Sequence, residues 1–147
     1  MITSNRPALD KGAIEHRLIT MRKSIVQLES AGRVDVACLD QNPAHGVAIE
    51  RMLASLDDLA FAINRHIAAV VLGEAPLTSA ASFGAARRAG LIDEHLAATL
   101  VPEEGPHNLL VQLCLDSDPG SIEAIVADAI SGYHEYLRQV VDWTESH

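Results

Sequence analysis

Aromatic side chains are scarce in this chain: one Trp, two Tyr and two Phe, about 3% of 147 residues. With 48% of residues hydrophobic, the core must therefore be built from Leu, Ile, Val and Ala, and that composition favours helices. Cysteine is nearly absent as well. Cys38 and Cys114 are the two in the chain, and neither sits in a zinc-knuckle spacing or a Cys-x-x-Cys pair, which argues against a disulfide framework and a thiolate metal site. Both are expected to be small core residues with reduced thiols. Basic residues are few: 11 Lys and Arg against 20 Asp and Glu leave a formal charge of -9, the wrong balance for an open nucleic-acid platform. There is no secretory leader pattern and no apolar run of about 18 residues, so the expectation is a cytoplasmic chain with no membrane contact. No cofactor, metal or DNA is expected.

What is present is helical periodicity. From Leu9 to Ser30, the residues Ile14, Leu18, Met21, Ile25 and Leu28 recur at alternating steps of four and three, one apolar stripe on a helix. Lys11, Glu15, Arg17, Arg22, Lys23 and Glu29 occupy the other sides and read as a solvated face. Ala31-Gly32 ends this helix, and Arg33 to Gln41 is expected to add a short helical turn. Asn42-Pro43 opens the longest predicted helix, Pro43 to Leu72. Ile49, Leu53, Leu56, Ala60, Ile63, Ile67 and Val70 give it one stripe, while Met52, Leu59 and His66 add an adjacent one. A helix apolar on two sides belongs at the centre of a bundle. Glu50, Arg51, Asp57, Asp58, Asn64 and Arg65 are assigned to its polar sides.

Gly73-Glu74-Ala75-Pro76 breaks that helix, and Thr78 or Ser79 caps the next, which carries Phe83 and Arg87-Arg88 before Gly90 stops it. Asp93 caps a short helix through Val101. Asp118 and Pro119 open the last helix, to about Glu145, with Ile122, Val126, Ala129 or Ile130, Tyr133, Leu137 and Val140 on one face. No strand-like alternation or repeat occurs. These elements predict an all-α, up-and-down bundle of four to five helices, with residues 1–8 as a flexible tail and 9–147 as one domain.

Between the fourth and last of these helices lies Gly105-Pro106-His107-Asn108-Leu109-Leu110-Val111-Gln112-Leu113-Cys114. His107, Leu110 or Val111, and Cys114 share one face at helical spacing, with Asn108 and Gln112 beside them. Pro106 suits a first helical turn, where its missing N–H is not needed.

This stretch resembles the signature of the HepT-like branch of the HEPN superfamily, in which Gly-x-Arg-Asn-x-x-x-His-x-Tyr opens a core helix. Gly105, Asn108, Leu110 and Val111 fit the pattern. His107 stands at the Arg position, Gln112 at the His position and Cys114 at the Tyr position. The similarity continues elsewhere. HepT-like proteins have a long second helix with Arg-x-Leu near its start and a His near its end, matched by Arg51-Met52-Leu53 and His66, although Ala62 stands where an acidic residue often faces the site. The segment from Pro76 through Phe83 to Leu91-Ile92-Asp93 is also similar, and so is the last helix in place and length.

The resemblance implies a helical bundle that dimerises through the signature helix or the long second helix. In such proteins the signature Arg binds phosphate, the His is the general acid–base, and together they cut RNA near the dimer interface. They are toxins, neutralised by a minimal nucleotidyltransferase encoded beside them that acts on the signature Tyr. Each change here removes a capability. His107 lacks the two-pronged guanidinium that holds a phosphate at any pH. Gln112 has no proton to exchange near neutrality, and Cys114 has no phenolic oxygen to accept a nucleotidyl group. The implied function is a non-catalytic homodimer that binds a nucleotidyltransferase. An alternative is an RNA-cutting toxin with a rearranged site, in which His107 moves the proton and Arg51 or Arg87 supplies positive charge, with His66 as an accessory. An unrelated regulatory or adaptor bundle is the third reading.

Overall fold

The computed structural model describes residues 7–30, 43–101 and 119–147. Five helices account for most of them: α1 (Lys11–Ser30), α2 (Pro43–Ile67), α3 (Ser79–Arg88), α4 (Glu94–Leu100) and α5 (Pro119–Ser146). There is no strand among the described residues. The all-α bundle expected from periodicity is what the chain adopts. The turn expected at 33–41 and the Asp118 cap lie outside the described residues.

α1 begins where Asp10 turns its side chain back, its Oδ1 accepting from the Ala13 N–H at 3.0 Å. Its five-residue stripe is the one anticipated: Ile14, Leu18, Met21, Ile25 and Leu28 are all buried. At ~1.5–3 kcal/mol for each fully buried aliphatic side chain, this stripe alone stabilises the fold by on the order of 10 kcal/mol before the entropy of ordering is set against it. It faces α2 on one side and α5 on the other. α1 runs opposite in direction to both. The Asp10 N–H reaches the His66 Nε2 near the end of α2 at 2.9 Å, and His134 of α5 pairs with Glu29 near the end of α1 at 2.8 Å.

α2 contributes Ile49, Leu56, Ala60, Ile63 and Ile67 to the core, with Met52, Leu53 and Leu59 partly buried against it. Its end differs from a continuous helix to Leu72. Ala68–Leu72 winds as one wide π turn, closed by Gly73 at φ 69° with its N–H on the Ala68 and Ala69 carbonyls. The wider turn advances the inward face by about one residue. Ala68 and Val71 therefore pack on the core, where a heptad count placed Val70.

α3 is capped by the Thr78 hydroxyl, which accepts from the Ala81 N–H at 3.1 Å, and it runs alongside α2 in the same direction. Ser79 meets Asp57, Ser82 meets Asn64, and Arg88 grips Glu74 just past the end of α2 with two bonds of 2.7 and 2.8 Å. Those bonds hold the Glu74 carboxyl below its usual range. α4 is capped by Asp93, whose Oδ1 accepts from the Leu96 N–H at 2.7 Å. Gln139 of α5 clamps the same residue from both sides, accepting from its N–H and donating to its Oδ2, each at 2.8 Å. α4 packs closely on α5 at Gly132, where an added Cβ would lie 2.9 Å from the Leu100 Cδ2 and would make that side chain shift. α5 completes the core with Val126, Tyr133, Tyr136, Leu137, Val140 and Trp143.

Candidate functional site

The signature positions His107, Asn108, Gln112 and Cys114 lie outside the described residues, so their roles rest on the sequence. The three accessory positions are described. Arg51 and His66 are 15 residues apart on α2, or about 22 Å along the axis, too far to share one small ligand. Arg51 is exposed. His66 is half-buried, and its Nε2 accepts from the Asp10 backbone, which makes the ring a tie between the start of α1 and the end of α2. An accepting nitrogen carries no proton, so the ring hydrogen sits on Nδ1. Arg87 is exposed in the last turn of α3, while its neighbour Arg88 is occupied by Glu74. The fold therefore does not gather Arg51, His66 and Arg87 into one cluster. Ala62 is half-buried on α2.

The described residues do converge elsewhere, between α2, α3 and α5. The Tyr136 hydroxyl donates to the Asn64 Oδ1 at 2.7 Å, with the Ala60 carbonyl oxygen at 3.3 Å. The Asn64 Nδ2 donates to the Ser82 Oγ at 3.2 Å, and the Ser82 hydroxyl passes on to the Ser79 carbonyl at 2.6 Å. The Ser79 hydroxyl ends the chain on the Asp57 Oδ1 at 2.7 Å. Asn64, Ser82 and Tyr136 are completely buried, and Phe83 stands edge-on to the Tyr136 ring with centroids 6.1 Å apart. Each hydroxyl has one proton to give, and the order phenol, amide, hydroxyl, carbonyl uses every one of them. No buried side-chain nitrogen or oxygen among the described residues is left without a partner.

Tyr133 lies one helical turn from Tyr136 and is buried too. Burial pushes its phenol well above the ordinary value, and the nearby carboxylates of Asp57 and Asp58 push it further. Burial likewise raises Tyr136, with Tyr133 adding to it. Both phenols stay neutral at physiological pH. The network ties α3 and α5 to α2 through side-chain hydrogen bonds and so fixes their register on it. Among the described residues no group of three His, Cys, Asp or Glu could hold a metal ion, and no helix is long and apolar enough to cross a membrane.

Sequence reasoning missed this cluster. Asn64 was assigned to a polar side of α2, yet it is 0% exposed. The signal was Asn64 standing four residues after Ala60 and next to Ile63, inside the apolar sector. Asp57, also assigned to a polar side, is half-buried and bonded to Ser79. Because 133 and 136 are the chain's two tyrosines, an alkaline titration reads this site directly. The native state keeps both phenols protonated at pH values where the unfolded chain releases them, above about 10, so stability falls as pH rises beyond that point. Phenolate absorbance should appear in one step together with the loss of helical circular dichroism. A phenol that titrates near pH 10 in the folded protein would contradict the burial.

No protein-family model matches the chain, and no curated protein matches its sequence.

Proposed function

We propose that this chain is a HepT-like protein of the HEPN superfamily that has lost RNA cleavage and acts as a dimeric binding partner of a minimal nucleotidyltransferase. The observation that carries the reading is the pattern at 105–114. Gly105, Asn108, Leu110 and Val111 keep the frame, while the three positions that do chemistry in the family hold His107, Gln112 and Cys114. The order of helices supports it: a long α2 bearing Arg51 and His66, the short α3 and α4, then a long α5. Loss of all three reactive groups from a retained frame is what selection for binding alone would leave.

A rearranged ribonuclease site is the second reading. Arg51 and Arg87 are exposed, and neither forms an ion pair among the described residues. Either could contribute positive charge beside His107, and RNA would then be the substrate.

The test of the first reading is binding without modification. Incubated with a minimal nucleotidyltransferase of the kind encoded beside HepT-like toxins, the chain is expected to co-elute with it at micromolar concentration. On addition of nucleoside triphosphate its intact mass should stay unchanged, because Cys114 replaces the acceptor phenol. Failure to co-elute would contradict the reading.

A further inference from the structure

α1 is tied to the bundle near each end by a histidine, and the two bonds ask opposite things of the ring. At the start, the Asp10 N–H donates to the His66 Nε2 of α2 at 2.9 Å. That nitrogen accepts only while it carries no proton, because a protonated imidazole has two donors and no acceptor. At the end, the His134 Nε2 of α5 lies 2.8 Å from the Glu29 Oε1. A carboxylate accepts from either form of the ring, and the bond becomes charge-assisted and stronger once the ring is protonated. Acid therefore removes the first bond and strengthens the second.

The charged groups around each ring leave these senses unchanged. On α2, the positions one turn from His66 are Ala62, Ile63, Ala69 and Val70, and its neighbour Arg65 lies over the Phe61 ring. α3 meets α2 through Ser79 and Ser82, on Asp57 and Asn64, and its Arg88 is taken up by Glu74. The start of α1 holds Asp10 and Lys11, of which only Asp10 offers an acceptor. Its carboxylate already accepts from the Ala13 N–H at 3.0 Å, so a protonated His66 that drew it away would undo the cap of α1 as well. Beside His134, Arg138 one turn on is held by Glu135 and Asp142. α4 meets α5 through Gly132 and Gln139. From α2, the Asp57 and Asp58 carboxylates act on the adjacent Tyr133, and their pull on His134 has the same sign as that of Glu29.

We propose that α1 is a pH-directed lever: as imidazoles take up protons, its start lets go of α2 while its end is held harder on α5. What the release uncovers is apolar. Ile14 is fully buried, Leu9 packs partly against the core, and Ile67 of α2 stands next to His66. The inference goes beyond the proposed function and does not rest on it, since neither the signature stretch nor a nucleotidyltransferase takes part.

The experiment is amide hydrogen exchange on the full chain, read by NMR as protection factors at about pH 7.5 and about pH 5.5, on either side of the range where imidazole changes charge. The Ile14 N–H, which donates to the Asp10 carbonyl at 3.2 Å, reports the start of α1, and the Leu28 N–H reports its end. In the unmodified chain, acid should lower Ile14 protection by about three- to tenfold, the worth of one net hydrogen bond, while Leu28 protection holds or rises. His66→Gln puts an amide oxygen where the Nε2 stands, an acceptor that does not titrate, and should abolish the fall at Ile14. Glu29→Gln removes the carboxylate and should lower Leu28 protection more at the lower pH than at the higher. Four results would overturn the inference: Ile14 protection equal at the two pH values, a fall that persists in His66→Gln, Leu28 falling in step with Ile14, or a Glu29→Gln loss no larger in acid. Should His66→Gln fail to fold, the ring nitrogens of the unmodified chain decide. Their 15N shifts at the higher pH should place the His66 proton on Nδ1, and a proton on Nε2 would overturn the inference.

Discussion

Replacing Asn64 by Ala should destabilise the protein by about 2–4 kcal/mol, an effect large for a single residue. Three costs combine. The Tyr136 hydroxyl, completely buried, loses its 2.7 Å acceptor and retains only the Ala60 carbonyl oxygen at 3.3 Å. The Ser82 Oγ loses the amide that donates to it, and a small void opens where the amide was. A buried group left unsatisfied costs about 1–3 kcal/mol, and the void adds to that. Tyr136→Phe is milder, about 1–2 kcal/mol, because the ring still packs edge-on to Phe83 and only the Asn64 oxygen is orphaned. In a domain of this size each kcal/mol moves the thermal midpoint by roughly 2–4 °C, so Asn64→Ala should lower Tm by on the order of 10 °C. Retention of the original Tm in Asn64→Ala would show that the network contributes nothing to stability.

Restoring the signature chemistry should have the larger effect on activity. The variant His107→Arg with Gln112→His puts back a bidentate phosphate donor and a group that exchanges a proton near neutrality. Correctly placed general acid–base catalysis is worth about a hundred- to ten-thousandfold, and the guanidinium should compound it without simple additivity. On a mixed RNA substrate the double variant should therefore cut at least about a hundredfold faster than the unmodified chain. It should also slow growth on expression. On the HepT-like reading, a silent double variant means that a further position departs from the family, and Ala62, where an acidic residue often stands, is the next to change.

How much of this was legible in the sequence depended on periodicity. The α1 stripe is read correctly residue by residue because its large apolar side chains recur at alternating steps of four and three, and those five are the ones buried. The caps at Thr78 and Asp93 were legible for a different reason: a short polar side chain before an apolar run has few other uses. The π turn at Ala68–Leu72 was not legible. Five small and branched apolar residues fit a helix of either pitch, and tertiary packing decides which forms. Asn64 and Ser82 were missed because a polar residue in an apolar sector is ambiguous until its partner is known. Their partner, Tyr136, is 72 residues from Asn64, and no local pattern links them. Tyr136 itself was passed over when Tyr133 was placed on the inward face, although both are buried. Of the candidate accessory residues, His66 is legible as part of the second apolar stripe of α2, but its bond to the Asp10 backbone depends on where the chain enters α1.

The central claim is that the chain keeps a HepT-like frame without its chemistry. The most direct measurement is the RNA-cleavage rate of the purified, unmodified chain beside that of His107→Ala. The prediction is that neither cuts a mixed RNA substrate above the buffer control, since Gln112 cannot act as the acid or base. Robust cleavage by the unmodified chain that disappears in His107→Ala would contradict the account and establish His107 as the catalytic residue of a rearranged site.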